Sequence, residues 1–153
     1  MDEQQHLNGQ NERLIGALLR VPFLKVIDAV YKALVAEGFN DLTRAHLAVF
    51  RHINDRAGSR LTELAEDAQM TKQSMGYLVD HLEERGYLER VPDSEDGRAR
   101  LVRLTRRGHE VMSVARRVVL GVEEEWARLI GKRKMQHLRE ALKELVAVLE
   151  SKK

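Results

Sequence analysis

Two short amphipathic segments stand almost back to back in the middle of the chain. In LTELAEDA, residues Leu61, Leu64, Ala65 and Ala68 fall at the i, i+3, i+4, i+7 spacing of one helical face. In TKQSMGYLVDHLEERG, residues Met75, Leu78, Val79 and Leu82 repeat that spacing, with Thr71 placed as an N-cap and Gly86 as a C-terminal stop. Only Gln69, Met70 and the capping threonine separate the two patterns. So short a link predicts a tight helix–turn–helix.

After Gly86 the period changes. YLERV and ARLVRLT have the content of strands, and PDSEDGR between them is dense in turn-forming residues, so a β-hairpin follows the second helix. The flanks are helical. From about Asn11 to Glu37 the apolar positions keep a helical period that Pro22 interrupts, either as a kink or as the first turn of a second helix; Gly38 suits the position past its end. Thr43 predicts the N-cap of a helix carrying Leu47, Phe50 and Ile53, closed by a Gly-Ser turn in RAGSR. A long helix is expected from about Arg107 to Ile130. Beyond Gly131, Met135, Leu138, Leu142, Leu145 and Leu149 make a seam of the kind that packs against another helix.

Subtracting the buried stripe of the second short helix leaves Lys72, Gln73, Gly76, Tyr77 and Asp80 outward, with Ser74 at the flank and Thr71 at the tip. Such a face suits a DNA major groove: lysine and threonine hold phosphates, glutamine pairs with adenine, and serine meets several base edges. It equally suits a solvated helix surface. The hairpin bears on the choice, because a helix–turn–helix with a two-stranded wing is a winged helix whose wing reaches toward a minor groove. Between Arg98 and Arg107 stand five arginines and no acid. Arg98, beside the hairpin tip, is placed to enter a minor groove, where the potential is most negative. Arg90 and Arg100 are placed along phosphates, and Asp96 is near enough to brace the Arg98 guanidinium. Arg103, Arg106 and Arg107 are open to either DNA or ion pairing, for instance with the acids at 123–125.

Other chemistries find little support. Cysteine is absent, which removes disulfides, thiolate catalysis and thiol-based zinc fingers. The six histidines (6, 46, 52, 81, 109 and 137) form neither H-E-x-x-H nor a local ligand set, so no metal and no cofactor is expected. No nucleophile elbow, P-loop or dinucleotide fingerprint occurs, which argues against an enzyme. No apolar run approaches the roughly 18–20 residues that span a bilayer, and the polar, acidic start is unlike a secretory signal, so a cytoplasmic protein is expected. The net charge of +2 is too small to argue for nucleic acid without a local basic face.

From about Leu42 to Gly108 the chain resembles the MarR family of bacterial winged-helix regulators. The resemblance is carried by LTELAEDAQMTKQSMGYLVDHLEERGYLER and by PDSEDGRARLVRLTRRG, where a wing with Asp-x-Arg precedes Leu-Thr. It implies a homodimer that binds a pseudo-palindromic double-stranded DNA operator and is often released by a small, frequently aromatic ligand. The reading surface then falls on Thr71, Lys72, Gln73, Ser74 and Tyr77, with Thr62 on the preceding helix, and the wing pair on Asp96 and Arg98. Tyr77 departs from the pattern, since many members carry a basic residue there. The expected architecture is mainly α with a small β-hairpin (α+β). A winged helix–turn–helix at residues 41–106 lies between helical dimerisation segments at 1–40 and 107–153, all in one compact chain. Tyr31, His46 and Trp126 are candidates to line an effector pocket. The function expected is a homodimeric, sequence-specific transcriptional regulator, a repressor released by an effector. The alternative is a winged-helix protein-interaction module that does not read DNA.

Overall fold

The computed structural model describes residues 13–151. Helix α1 (Ile15–Ala36) is followed by a 3₁₀ turn (Arg44–His46) that runs into the short α2 (Leu47–His52). Then come β1 (Ser59–Arg60), α3 (Leu61–Asp67), α4 (Lys72–Glu84), β2 (Leu88–Pro92), β3 (Arg100–Leu104), α5 (Arg106–Ile130) and α6 (Lys132–Glu150). The mainly helical class and the winged helix–turn–helix are as the sequence predicts. Of the two options at Pro22 the single helix holds, for α1 continues through the proline; the start expected at Asn11 and Glu12 lies outside the described residues.

Local chemistry sets the helix ends. At the end of α4, Gly86 takes φ +74 while its N–H reaches the Glu83 carbonyl and the Tyr87 N–H the Leu82 carbonyl, a Schellman closure that uses glycine's freedom at positive φ. The turn between α3 and α4 closes the same way, with Gln69 N–H on Glu66 and Met70 N–H on Ala65. There the left-handed residue is Gln69 at φ +53, the one non-glycine residue with positive φ among those described. A β-carbon in that region costs about 1–2 kcal/mol, so packing of the two helices must hold it.

The hairpin is as expected in place, but it is one part of a three-stranded antiparallel sheet of order β1-β3-β2. The residues read as a Gly-Ser turn include Ser59, which pairs with Val102, while Arg60 pairs with Leu101. Periodicity cannot reveal a two-residue strand. Across the hairpin Leu88 faces Leu104, Arg90 faces Val102 and Pro92 faces Arg100. Pro92 sits at the end of an edge strand, where its missing N–H leaves no ladder bond unmade.

The buried core lies at one end of the molecule. Leu34, Leu42, Val49, Leu64, Met75, Val79, Leu82, Tyr87, Val102 and Val111 are all fully enclosed there. The far end is uncovered: α6 has no buried residue, and Ile15 of α1 and Leu129 of α5 are 69% and 74% exposed. Among the described residues no helix is long and apolar enough to cross a membrane.

Candidate nucleic-acid interface

Helix α3 begins when the Arg60 N–H donates to the Glu63 carboxylate at 2.9 Å, leaving Thr62 exposed in its first turn. Helix α4 begins at Thr71, whose hydroxyl accepts the Ser74 N–H at 3.1 Å and donates to the Ser74 hydroxyl at 2.8 Å. The first turn of α4 carries no acid, so its free N–H groups and dipole leave a positive end. Met75, Leu78, Val79 and Leu82 are buried as their spacing predicts. Thr71, Lys72, Gln73, Ser74, Tyr77 and Asp80 are exposed, and the Tyr77 ring rests 4.0 Å from that of His81 one turn on. Gly76 is a correction. Read as facing outward, it is half-buried at the flank, where an added β-carbon would meet Leu61 of α3 at 3.7 Å, an ordinary van der Waals contact.

The wing is anchored by residues that the sequence reading passed over. Asp93, just after Pro92, is buried and accepts the Glu95 N–H at 2.9 Å and the Arg60 guanidinium at 2.6 and 3.0 Å. These donors, the backbone N–H first and then Arg60, hold its carboxyl below the ordinary carboxylate range. The pair joins β1 to the hairpin turn across 33 residues, a separation at which no local signal exists. At the tip, Asp96 accepts the main-chain N–H of Arg98 at 3.1 Å, and its carbonyl accepts the Ala99 N–H at 2.8 Å. The expected brace on the Arg98 guanidinium is therefore not what Asp96 makes; a short side chain two residues back reaches the backbone first. The Arg98 guanidinium is exposed and joins none of the ion pairs among the described residues.

Arg90 also differs from its expectation. Its guanidinium is bound by Asp80 at 2.5 Å and by Glu83, both on α4. Burial works against its charge, and the two carboxylates outweigh it. Two anions neutralise this arginine, so it braces the wing against α4 rather than lying open along phosphates. Arg100 donates to the Arg90 carbonyl at 3.0 Å while remaining exposed. Farther on, Arg106 meets Glu110 and Arg107 meets Asp41; neither uses the acids at 123–125, of which Glu123 pairs with Arg139. The acid-free run thus divides into open and paired arginines.

The three effector-pocket candidates do not converge. Trp126 lines an apolar groove of about 790 Å³ between α1, α5 and α6, with Leu18, Leu19, Leu138 and Leu142. Tyr31 lies outside that lining, its ring under the Arg44 guanidinium at 4.4 Å. His46 is buried and its Nδ1 accepts the Thr43 N–H at 3.0 Å, closing the start of the 3₁₀ turn. Burial, then the charges of Arg85 and His81, push the His46 pKa down, against a smaller opposite pull from Asp41. A folded-state pKa below the unfolded one means that the unfolded chain takes the proton more readily. Stability from this site is then present above the ordinary pKa of about 6.5 and lost as pH falls through the folded value. Thermal melting at pH 7.5 and 5.5 should show an acid loss that His46→Gln reduces; equal losses in both proteins would assign it elsewhere. Among the described residues no group of three or more His, Asp or Glu is placed to hold a metal ion.

Comparison with known proteins agrees with this geometry. The sequence profile of the MarR family matches residues 40–99. The transcriptional regulator HosA of Escherichia coli O127:H6 is 36% identical over 86 residues, which cover 56% of this chain and 64% of HosA's own length. The crystal structure of the transcriptional regulator Tm0710 from Thermotoga maritima shares 30% identity at a TM-score of 0.62, covering 89% of this chain and 94% of that one. CouR from Rhodococcus jostii RHA1, solved bound to p-coumaroyl-CoA, is 27% identical at a TM-score of 0.65 and covers 86% of this chain and 90% of its own. CouR has also been solved on a 23-mer DNA duplex.

Proposed function

The chain belongs to the MarR family of winged-helix transcriptional regulators, and on that premise we propose that it is a cytoplasmic homodimer that reads a pseudo-palindromic operator and releases it on binding a small, aromatic effector. It is a regulator, not an enzyme. One observation carries the reading. Arg90 bonds the base of the wing to Asp80 on the exposed side of α4, so the wing, whose Arg98 joins no ion pair among the described residues, stands directly beside the polar face of α4. In this reading α4 enters the major groove with Gln73 and Ser74 on base edges and Lys72 on phosphate. Thr62, Thr71 and Arg100 add backbone contacts, and Arg98 enters the flanking minor groove. Tyr77, in van der Waals reach of His81, presents an apolar edge. The helical segments on either side of residues 41–106 form the dimer. CouR's bound aromatic thioester supports an effector of that chemical kind, and its DNA complex supports duplex binding.

The test is duplex binding against salt, with operators selected from random sequence. Affinity should fall steeply as salt rises, because phosphate contacts release counterions. Gln73→Ala should lose about 1–3 kcal/mol of discrimination at one base pair per half-site. Lys72→Ala should weaken all sequences alike and flatten the salt slope. Arg98→Ala should abolish any preference for A·T over G·C flanks. Salt-independent or absent duplex binding would favour a protein-interaction module instead.

A further inference from the structure

Three segments far apart in sequence meet at one carboxylate. Asp41 lies in the loop after α1, Tyr87 in the turn after α4, and Arg107 in the first turn of α5. The Tyr87 hydroxyl donates to Asp41 Oδ1 at 2.6 Å, and Arg107 meets Asp41 Oδ2 at 3.3 Å. The same guanidinium donates to the Arg85 carbonyl at 3.0 Å and lies 4.3 Å from the centre of the Tyr87 ring. Beside it Thr105 donates its hydroxyl to the Gly86 carbonyl at 2.6 Å and its N–H to the Tyr87 carbonyl at 3.1 Å. Burial and then Asp41 push the Tyr87 phenol up to about 12, so it remains a donor at any working pH.

The ion pair among these bonds is poorly suited to be a source of stability. Arg107 and Asp41 are 45% and 35% exposed, and ion pairs at such sites contribute little. What the bonds supply is direction. Both oxygens of Asp41 are spoken for by different elements, and the fork of Arg107 is held by a carboxylate, a carbonyl and a ring face together. The cluster sits where the last turn of α4 meets the first turn of α5, and α5 runs on into the uncovered end with α1 and α6.

We propose that Asp41, Tyr87 and Arg107 are positioning residues that fix the angle between α4 and the helical base, and so select the half-site spacing of the operator. The proposal rests on the dimeric DNA-reading function above. Two reading helices of a dimer must stand about 34–36 Å apart, and one base pair changes that by about 3.4 Å. Each protomer supplies half, so a drift of under about 2 Å at each α4 misreads the spacing by one base pair. A single flexible ion pair tolerates such drift; a carboxylate bonded on both oxygens to a buried phenol and a stacked guanidinium does not.

The absence of cysteine makes a direct measurement available. A spin label at Glu84→Cys, exposed on α4, would report the distance between the two reading helices of the full-length dimer without DNA. The distribution should be narrow in the parent and clearly broader in Tyr87→Phe, Asp41→Asn and Arg107→Gln, with dimerisation retained and Arg107→Lys intermediate. Operators with half-sites moved by one base pair should bind the parent at least ten-fold more weakly, and the variants should lose most of that preference. Unchanged distance distributions, or an equal loss of affinity at every spacing, would overturn the clamp. A parent that is monomeric or binds no duplex would overturn the function on which it rests.

Discussion

Leu142→Glu should convert the protein to a monomer and lower operator affinity by about 10²–10⁴-fold, the advantage that linking two binding events ordinarily confers. Leu142 lines the apolar groove of about 790 Å³ with Leu18 and Leu19 of α1, Trp126 of α5 and Leu138 of α6. Among the described residues none fills that groove. Leu138, Leu145 and Leu149 are 44%, 44% and 58% exposed on a helix that buries no residue. An apolar surface this continuous marks an interaction site, and the commonest occupant is a second copy across a two-fold axis. A carboxylate at position 142 would have to be desolvated without a partner, which costs several kcal/mol. Sedimentation at micromolar concentration and duplex binding read the two halves of the prediction. A dimer of unchanged affinity would move the interface off this groove.

Gly108→Ala should lower the melting temperature by several degrees, while Gly121→Ala in the same helix should raise it or leave it unchanged. A β-carbon on Gly108 would lie 2.3 Å from the Tyr87 carbonyl oxygen and 3.0 Å from Leu104 Cδ2. That carbonyl is bonded to the Thr105 N–H, so relief requires moving backbone, not a side-chain tip. Overpacking of this kind costs about 1–3 kcal/mol, and each kcal/mol moves the midpoint of a domain this size by about 2–4 °C. At Gly121 nothing lies within 4 Å, so alanine there gains only its helix propensity, about 1 kcal/mol. Because Gly108 adjoins the Asp41–Tyr87–Arg107 cluster, its alanine variant should also broaden the separation of the reading helices. If both substitutions shift the melt alike, close packing at Gly108 is not what the glycine serves.

The chain's own residues settle, without help from the rest of the fold, those features that are decided within a turn or two. Leu61, Leu64 and Ala65, then Met75, Leu78, Val79 and Leu82, bury one face of each helix because apolar spacing fixes a face wherever a core is offered. Thr71 caps α4 and Gly86 closes it through contacts three to five residues away. The seam of α6 is likewise legible, although no described residue of the chain buries it. What tertiary structure alone decided are the pairings across long separations and the choices among equivalent residues. Composition shows five arginines without an acid, but not that Arg107 finds Asp41 66 residues away while Arg98 finds no acid among the described residues. The reach of Arg60 to Asp93 depends on β1 lying beside β3, and a strand of two residues has no period to read. Gln69 holds a left-handed turn that local preference would give to glycine or asparagine, because the packing of α3 on α4 outweighs the local cost. Side-chain spacing is fixed by the geometry of one helix or strand. Partners are fixed by where the chain returns in space, and that is determined only when the whole core closes.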